Sequence, residues 1–353
     1  MATICDSQTP PDTVFSYSYT ARLPFREAKR RGMRCVLGQI DPGPIEHDLV
    51  ERHVRAAGDP GYVENRPPAI YWEEWREEVA LADTIIVNSA WSAQLLEQAG
   101  VPKGKLVEIP LVYEAAQGRM ATGKDNFECW IRNVELGRTR PSAAPRADGL
   151  ILNDGLGMRN WGACARVPRS AREFPISNFP FVQSTQAANS FFLHVLFLGQ
   201  VIPRKGIYFL FDAIRALKGD NVFFTIAGPV GVKIPADIAG SSRVRIMGPV
   251  NRACADKLYS EADVFVLPTL SDGFAITQLE AQAHGVPVIA SRNCGRVVED
   301  GVNGILLPEV SAEAIVAAIR KCLDSPGLLA QMSAAALKRD SFSLEMLADK
   351  LLE

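Results

Sequence analysis

From residue 194 to residue 308, short apolar runs alternate with stretches of helical period, and most of the runs end at glycine or proline. The runs cover 195–198, 222–227, 244–247, 264–267, 287–290 and 304–307. Mostly apolar runs of this length suit strands buried on both faces. Helices are expected over 207–217, 253–260 and 277–284, with terminal helices over 312–322 and 326–338. Strands separated by whole helices need crossover connections and therefore pair in parallel. The segment thus predicts a doubly wound α/β sheet.

The first 114 residues carry the same rhythm. Strands are expected over 15–18, 34–40, 84–87 and 106–109, and helices over 25–31, 71–81 and 91–99. A further helix, carrying His47 and His53, follows Asp41-Pro42-Gly43-Pro44. Gly32 and Gly100 close helices cheaply, and Asn88-Ser89 can cap the helix that follows. From 117 to 180 the rhythm breaks: nine arginines and one lysine fall among frequent Gly, Pro, Ser and Asn, with no persistent period. This stretch reads as a flexible insertion or as a misread segment, and no catalytic residue is assigned to it. The expected division is a partial N-terminal domain over 1–115, an irregular insertion or linker over 116–190, a C-terminal domain over 191–340 and a closing helix over 341–353.

Composition narrows the function. A chain of 353 residues suits two domains. A net charge of -2 argues against an extended nucleic-acid footprint. No apolar run reaches the roughly 18 residues of a membrane span. The polar start shows no apolar signal core. Seven scattered cysteines without a CxxC pair fit a reducing compartment better than a zinc site or disulfide framework. A cytoplasmic location is expected.

In open parallel sheets, ligands gather beyond the carboxyl ends of strands. The loop after 195–198 reads Gly199-Gln200-Val201-Ile202-Pro203-Arg204-Lys205-Gly206. It sets two cations beside a helix start, suitable for a diphosphate. The loop after 264–267 runs from Pro268 to Thr277, with Asp272, Gly273, Phe274, Ala275 and Ile276 leading into a helix that bears Glu280. Gly273 would let the backbone approach a ligand, and Glu280 could accept both hydroxyls of a ribose. Each feature alone has an ordinary reading as loop, packing or solvated surface. Their order and spacing carry the argument.

That order resembles the nucleotide-sugar-binding domain of the family 4 glycosyltransferases, retaining enzymes of the GT-B fold. The resemblance lies in FLGQVIPRKG (197–206), FTIAGP (224–229), EADVFVLPTLSDGFAITQLEAQAHGVPVIAS (261–291) and VEDGVNGILLP (298–308). The stretch LADTIIVNSAWSAQLLEQAGVPKGKLVEIPL (81–111) is similar to the end of the family's acceptor-side domain. The resemblance implies two Rossmann-like domains facing a cleft, the first of them truncated because its match begins near Phe15. It further implies that Glu280 binds the donor ribose, that Asp272 contacts the transferred sugar, and that Lys205 neutralises the diphosphate. Gly199, Gln200, Arg204 and Gly228 would line the donor site, with backbone amides at Gly273, Phe274, Ala275 and Ile276. Asp272 and Lys205 are the expected catalytic residues. Two positions depart from the family's usual pattern: Gln200 stands where Arg is common, and Asp272 where Glu is.

The expected function is retaining transfer of a sugar from a nucleotide sugar to a carbohydrate or lipid-linked acceptor, with no metal and no cofactor. A lipid acceptor would bring peripheral contact with the inner face of a membrane. Two rivals remain: a degenerate homologue that at most binds nucleotide, and a nucleotide-sugar epimerase on the same fold. His194 and His284 are expected to be structural, and Trp72 and Trp75 to pack in the core or between domains. Ser16-Tyr17-Ser18-Tyr19 ends a strand on the cleft side.

Overall fold

The apolar runs of the two halves become parallel strands, and each half builds its own sheet. The computed structural model describes residues 12–57, 67–113, 150–152, 192–338 and 342–352. In the first half, β1 (Thr13–Tyr17), β2 (Arg34–Gln39), β3 (Thr84–Val87), β4 (Leu106–Glu108) and β5 (Leu150–Leu152) lie in the order β4-β3-β2-β1-β5. In the second, β6 (Leu193–Leu198), β7 (Val222–Ala227), β8 (Val244–Gly248), β9 (Val264–Leu267), β10 (Val288–Ala290) and β11 (Gly304–Leu306) lie in the order β11-β10-β9-β6-β7-β8. Every registered strand pair is parallel.

Helices α1 (Arg22–Arg30), α2 (Pro44–Ala57), α3 (Ala69–Leu81) and α4 (Ala90–Gln98) serve the first sheet. The second half carries α5 (Ile207–Ala216), α6 (Ala236–Ala239), α7 (Arg252–Glu261), α8 (Thr277–Ala283), α9 (Ala312–Asp324), α10 (Pro326–Ala336) and α11 (Leu344–Leu352). Strands β9 and β10 are buried along their whole length. Val266 joins a core with Phe197, Phe211 and Met332, while its neighbour Phe265 joins another with Tyr259 and Val288. Successive strand residues face opposite sides, so this sheet is covered on both. Each such fully buried side chain contributes about 1.5–3 kcal/mol.

Two local features differ from expectation. Helix α1 begins at Arg22, three residues before the expected start, although the side chain of its N-cap Ala21 can accept no hydrogen bond. The cap comes from elsewhere. Glu78 of α3, buried at 2% exposure, accepts from the backbone N–H of Tyr19 (2.7 Å), Ala21 (2.8 Å) and Arg22 (3.1 Å). A carboxylate at a helix start satisfies otherwise orphaned donors, and here it is non-local. Second, residues 150–152 pair with β1, within the stretch read as lacking strand signals. The rest of the proposed 116–190 insertion lies outside the described residues.

Glycine is required at one turn that shapes the site. Gly206 has φ +73°, and a Cβ there would meet the Pro268 carbonyl oxygen at 1.8 Å. Gly206→Ala is therefore expected to cost about 3 kcal/mol or more, from left-handed strain plus displaced backbone. Gly327→Ala, where a Cβ meets nothing within 4 Å, is expected to be neutral or stabilising. Denaturant midpoints of the two variants test this, and equal midpoints would refute it.

Candidate functional site

The strand order reverses between β6 and β9, the neighbours at the centre of the second sheet. A crevice opens at such a reversal, outside the carboxyl ends of the strands. The Gly199–Gly206 and Pro268–Ile276 loops leave β6 and β9 on its two sides. Lys205 and Asp272 meet there: the Lys205 ammonium forms an ion pair with Oδ2 of Asp272. Arg204 places its Nη1 3.8 Å from the same oxygen. Oδ1 of Asp272 accepts from the Phe274 N–H at 3.3 Å. Burial pushes the Asp272 carboxyl up, but Lys205, Arg204 and the Phe274 amide outweigh it and hold its pKa below the usual range.

Arg204 also faces the first domain. Its Nη1 lies 3.7 Å from Oε1 of Glu46, in the first turn of α2. Glu46 is 9% exposed, and burial raises its pKa although Arg204 opposes the shift. Two cations thus sit among two carboxylates drawn from both domains. Sequence reading missed Glu46, since only the approach of α2 to the 203–205 turn brings it here.

The loop that follows is clamped between the domains. Ser89 caps α4 by accepting from the Ser92 N–H at 3.2 Å, as expected, and its hydroxyl also donates to the Gly273 carbonyl at 2.6 Å. The Ser92 hydroxyl donates to the same carbonyl at 3.2 Å, and Trp91 Nε1–H donates to the Ser271 hydroxyl at 2.9 Å. A Cβ at Gly273 would lie 2.5 Å from the Ile40 carbonyl oxygen. The close approach that Gly273 permits here is therefore that of the N-terminal domain. Phe274 turns its ring inward, 3% exposed, beside Tyr113, Leu279 and Val297. Ala275 adopts φ +63°, a strained state for a residue with a Cβ. Gln278 holds the loop by donating to the carbonyls of Phe274 (3.0 Å) and Gly295 (3.1 Å).

Glu280 lies one turn into α8, in a second group. At 8% exposure it forms an ion pair with Arg252 Nη1 and accepts from the Tyr259 hydroxyl at 3.1 Å. Gly199 and Gly228 abut at the ends of β6 and β7: a Cβ on Gly228 would meet the Gly199 carbonyl oxygen at 1.9 Å. Gln200 beside them is exposed, and Ile276 precedes the first turn of α8. The structure thus unites Lys205, Arg204 and Asp272 directly and sets Glu280 apart with Arg252.

The histidines are taken up in structure. His194 bridges the Glu261 carbonyl (2.7 Å) and the Thr225 hydroxyl (2.8 Å). His284 hydrogen-bonds the Glu280 carbonyl at 2.9 Å and stacks on Tyr259. His53 bonds the Leu49 carbonyl at 2.7 Å, and His47 lies edge-on to Trp72. Trp75 is a core residue, 2% exposed, with its indole N–H on Gln39. At the end of β1, Ser16 and Ser18 are buried, and the Tyr19 hydroxyl donates to Asp41 at 2.7 Å.

The family model described as "Glycosyl transferases group 1" matches residues 193–325. Over these residues the chain is similar to the group 1 glycosyltransferases. Every donor-site candidate lies within this stretch. Among curated proteins, the chain is 31% identical over 159 residues to a D-inositol 3-phosphate glycosyltransferase of Streptomyces griseus, covering 40% of this chain and 34% of that one. It is 32% identical over 172 residues to the protein of that name from Mycobacterium bovis, covering 45% and 36%. The matches span between a third and two fifths of these relatives' length. Among solved structures, HepE of Anabaena in complex with UDP superposes with a TM-score of 0.60 at 16% identity, over 96% of this chain and 77% of that one. The catalytic domain of Starch Synthase IV from Arabidopsis thaliana, bound to ADP and acarbose, superposes with a TM-score of 0.56 at 14% identity, over 97% and 71%. At these identities the likeness establishes the fold: two facing parallel-sheet domains in the GT-B arrangement. Among the described residues, no helix is long and apolar enough to cross a membrane.

Proposed function

We propose that the chain transfers a sugar from a nucleotide-sugar donor to a carbohydrate or lipid-linked acceptor, with retention of configuration. The observation that carries this reading is the pairing of Lys205 and Arg204 with Asp272 at the sheet reversal, beside the clamped Gly273 loop. The glycosyltransferase match over the same residues supports it, and so do the nucleotide complexes of the fold relatives, with UDP in one and ADP in another.

The chemistry follows from charge. As the sugar C1–O bond breaks, its electron pair passes to the diphosphate. Lys205, Arg204 and the amides at 274–276 meet that charge with groups already in place. The acceptor hydroxyl attacks from the same face, and its proton passes to the departing phosphate oxygen. In this reading no metal or cofactor takes part, and Asp272, released from Lys205 as the diphosphate arrives, contacts the transferred sugar.

A second reading, nucleotide binding without turnover, draws on exposed Gln200, which supplies no cation. The test is a thermal-shift screen with UDP, GDP, ADP and their sugar conjugates, followed by product analysis. A ligand that binds the native state alone raises the melting temperature, by about 2.7 kcal/mol of stability at a hundred times Kd. The expected result is a shift with one nucleotide series, with release of that nucleotide and a glycosylated product. A shift without product would favour the second reading, and an isomerised sugar nucleotide would favour an epimerase.

A further inference from the structure

We infer that Arg252 is a positioning residue that fixes the Glu280 carboxylate for a ribose, and that Tyr113, from the N-terminal half, completes this part of the nucleotide site. The inference rests on the reading of Glu280 as the ribose-binding carboxylate. An ionised carboxylate has about four lone-pair sites, two on each oxygen. Arg252 Nη1 takes one on Oε1 and the Tyr259 hydroxyl takes one on Oε2. One site remains on each oxygen, and a vicinal diol offers one hydroxyl donor to each.

The guanidinium is itself held. Its Nη2 donates to the Tyr113 hydroxyl at 2.7 Å, and its Nε lies 3.4 Å from Asp256 Oδ1, one turn along α7. Its carbon stands 5.8 Å from the centre of the Tyr113 ring. Tyr113 lies beyond β4 at 4% exposure, wedged beside Phe274 and Leu279. The N-terminal half therefore reaches the donor carboxylate through two links, Tyr113 to Arg252 and Arg252 to Glu280. A planar guanidinium whose two terminal nitrogens hydrogen-bond different partners, Glu280 and Tyr113, fixes the plane of the carboxylate in a way that a flexible ammonium would not.

The test measures binding of UDP, GDP and ADP, and of their 2′,3′-dideoxy counterparts, to the full chain by calorimetry. For the nucleotide that binds, Arg252→Ala is expected to weaken affinity about tenfold, the loss of one charge-assisted positioning contact. The dideoxy counterpart, with no diol to orient, is expected to change by less than about twofold, within the scatter of a surface substitution. Arg252→Lys should recover part of the loss, and Tyr113→Phe should show a smaller loss with the same dependence on the diol. Arg252→Gln keeps most of the stem and serves if the alanine variant melts. Equal weakening of both nucleotide forms, or of neither, would overturn the inference while leaving nucleotide binding intact. A wild-type chain that binds none of the nucleotides would overturn the functional reading itself, and this inference with it.

Discussion

Replacing Lys205 with alanine is expected to lower donor turnover by about 10²–10³-fold, the scale seen when one preorganised charge-stabilising group is removed. Binding of the bare nucleoside should change far less if the ammonium serves the diphosphate, as proposed, and not the base or ribose. The structure adds a complication. Lys205 also neutralises Asp272, which is 9% exposed. Removing one partner of a buried pair costs about 3–5 kcal/mol, because a charge is left uncompensated. Arg204, 3.8 Å from the same oxygen, offsets part of that cost. The single variant is therefore expected to melt lower as well as to turn over more slowly. The double variant Lys205→Met, Asp272→Asn removes both charges and should recover the melting temperature but not turnover. Turnover within tenfold of wild type in a folded single variant would remove Lys205 from the leaving-group role. Equal loss of nucleoside binding and turnover would do the same.

Glu280→Gln should weaken nucleotide affinity by about 10²-fold, since two hydrogen bonds to a charged acceptor, each worth about 1.5–3 kcal/mol, lose their charge and one loses its acceptor. The amide also turns its NH2 toward either Arg252 or Tyr259, each of which already donates to this side chain. Calorimetry reads the affinity, and the melting temperature separately reads the lost ion pair. Unchanged affinity would take Glu280 out of the nucleotide site whatever the change in stability.

Much of this architecture was legible one element at a time. Fully apolar β9 and β10 could be only buried strands. Ser89 announced the start of α4, and its hydroxyl does cap that helix. Gly206 and Gly228 stood at an expected loop and an expected strand end, where the structure leaves no room for a Cβ. Helix α1 shows where local reading stops. Its N-cap can be an alanine because Glu78, 57 residues along the chain, supplies the acceptor. No window of sequence around residue 21 contains that information.

The site divides in the same way. The loops after β6 and β9 could be placed beyond strand ends from the sequence, because strand period and glycine conformation act over a few residues. Their Lys205–Asp272 contact spans 67 positions, and the hydrogen bond from Ser89 to Gly273 spans 184. Glu46, on which the sequence carried no signal, is buried against Arg204. Arg252, just before the expected 253–260 helix, grips Glu280. By itself, the sequence determined most of the strands and helices of the two halves and where the chain turns, but neither β5 nor the start of α1. Only the tertiary structure decided which charges neutralise one another and which domain closes on the Gly273 loop. Backbone period is a property of neighbours along the chain, whereas a buried charge takes its partner from whatever packing brings within a few ångströms.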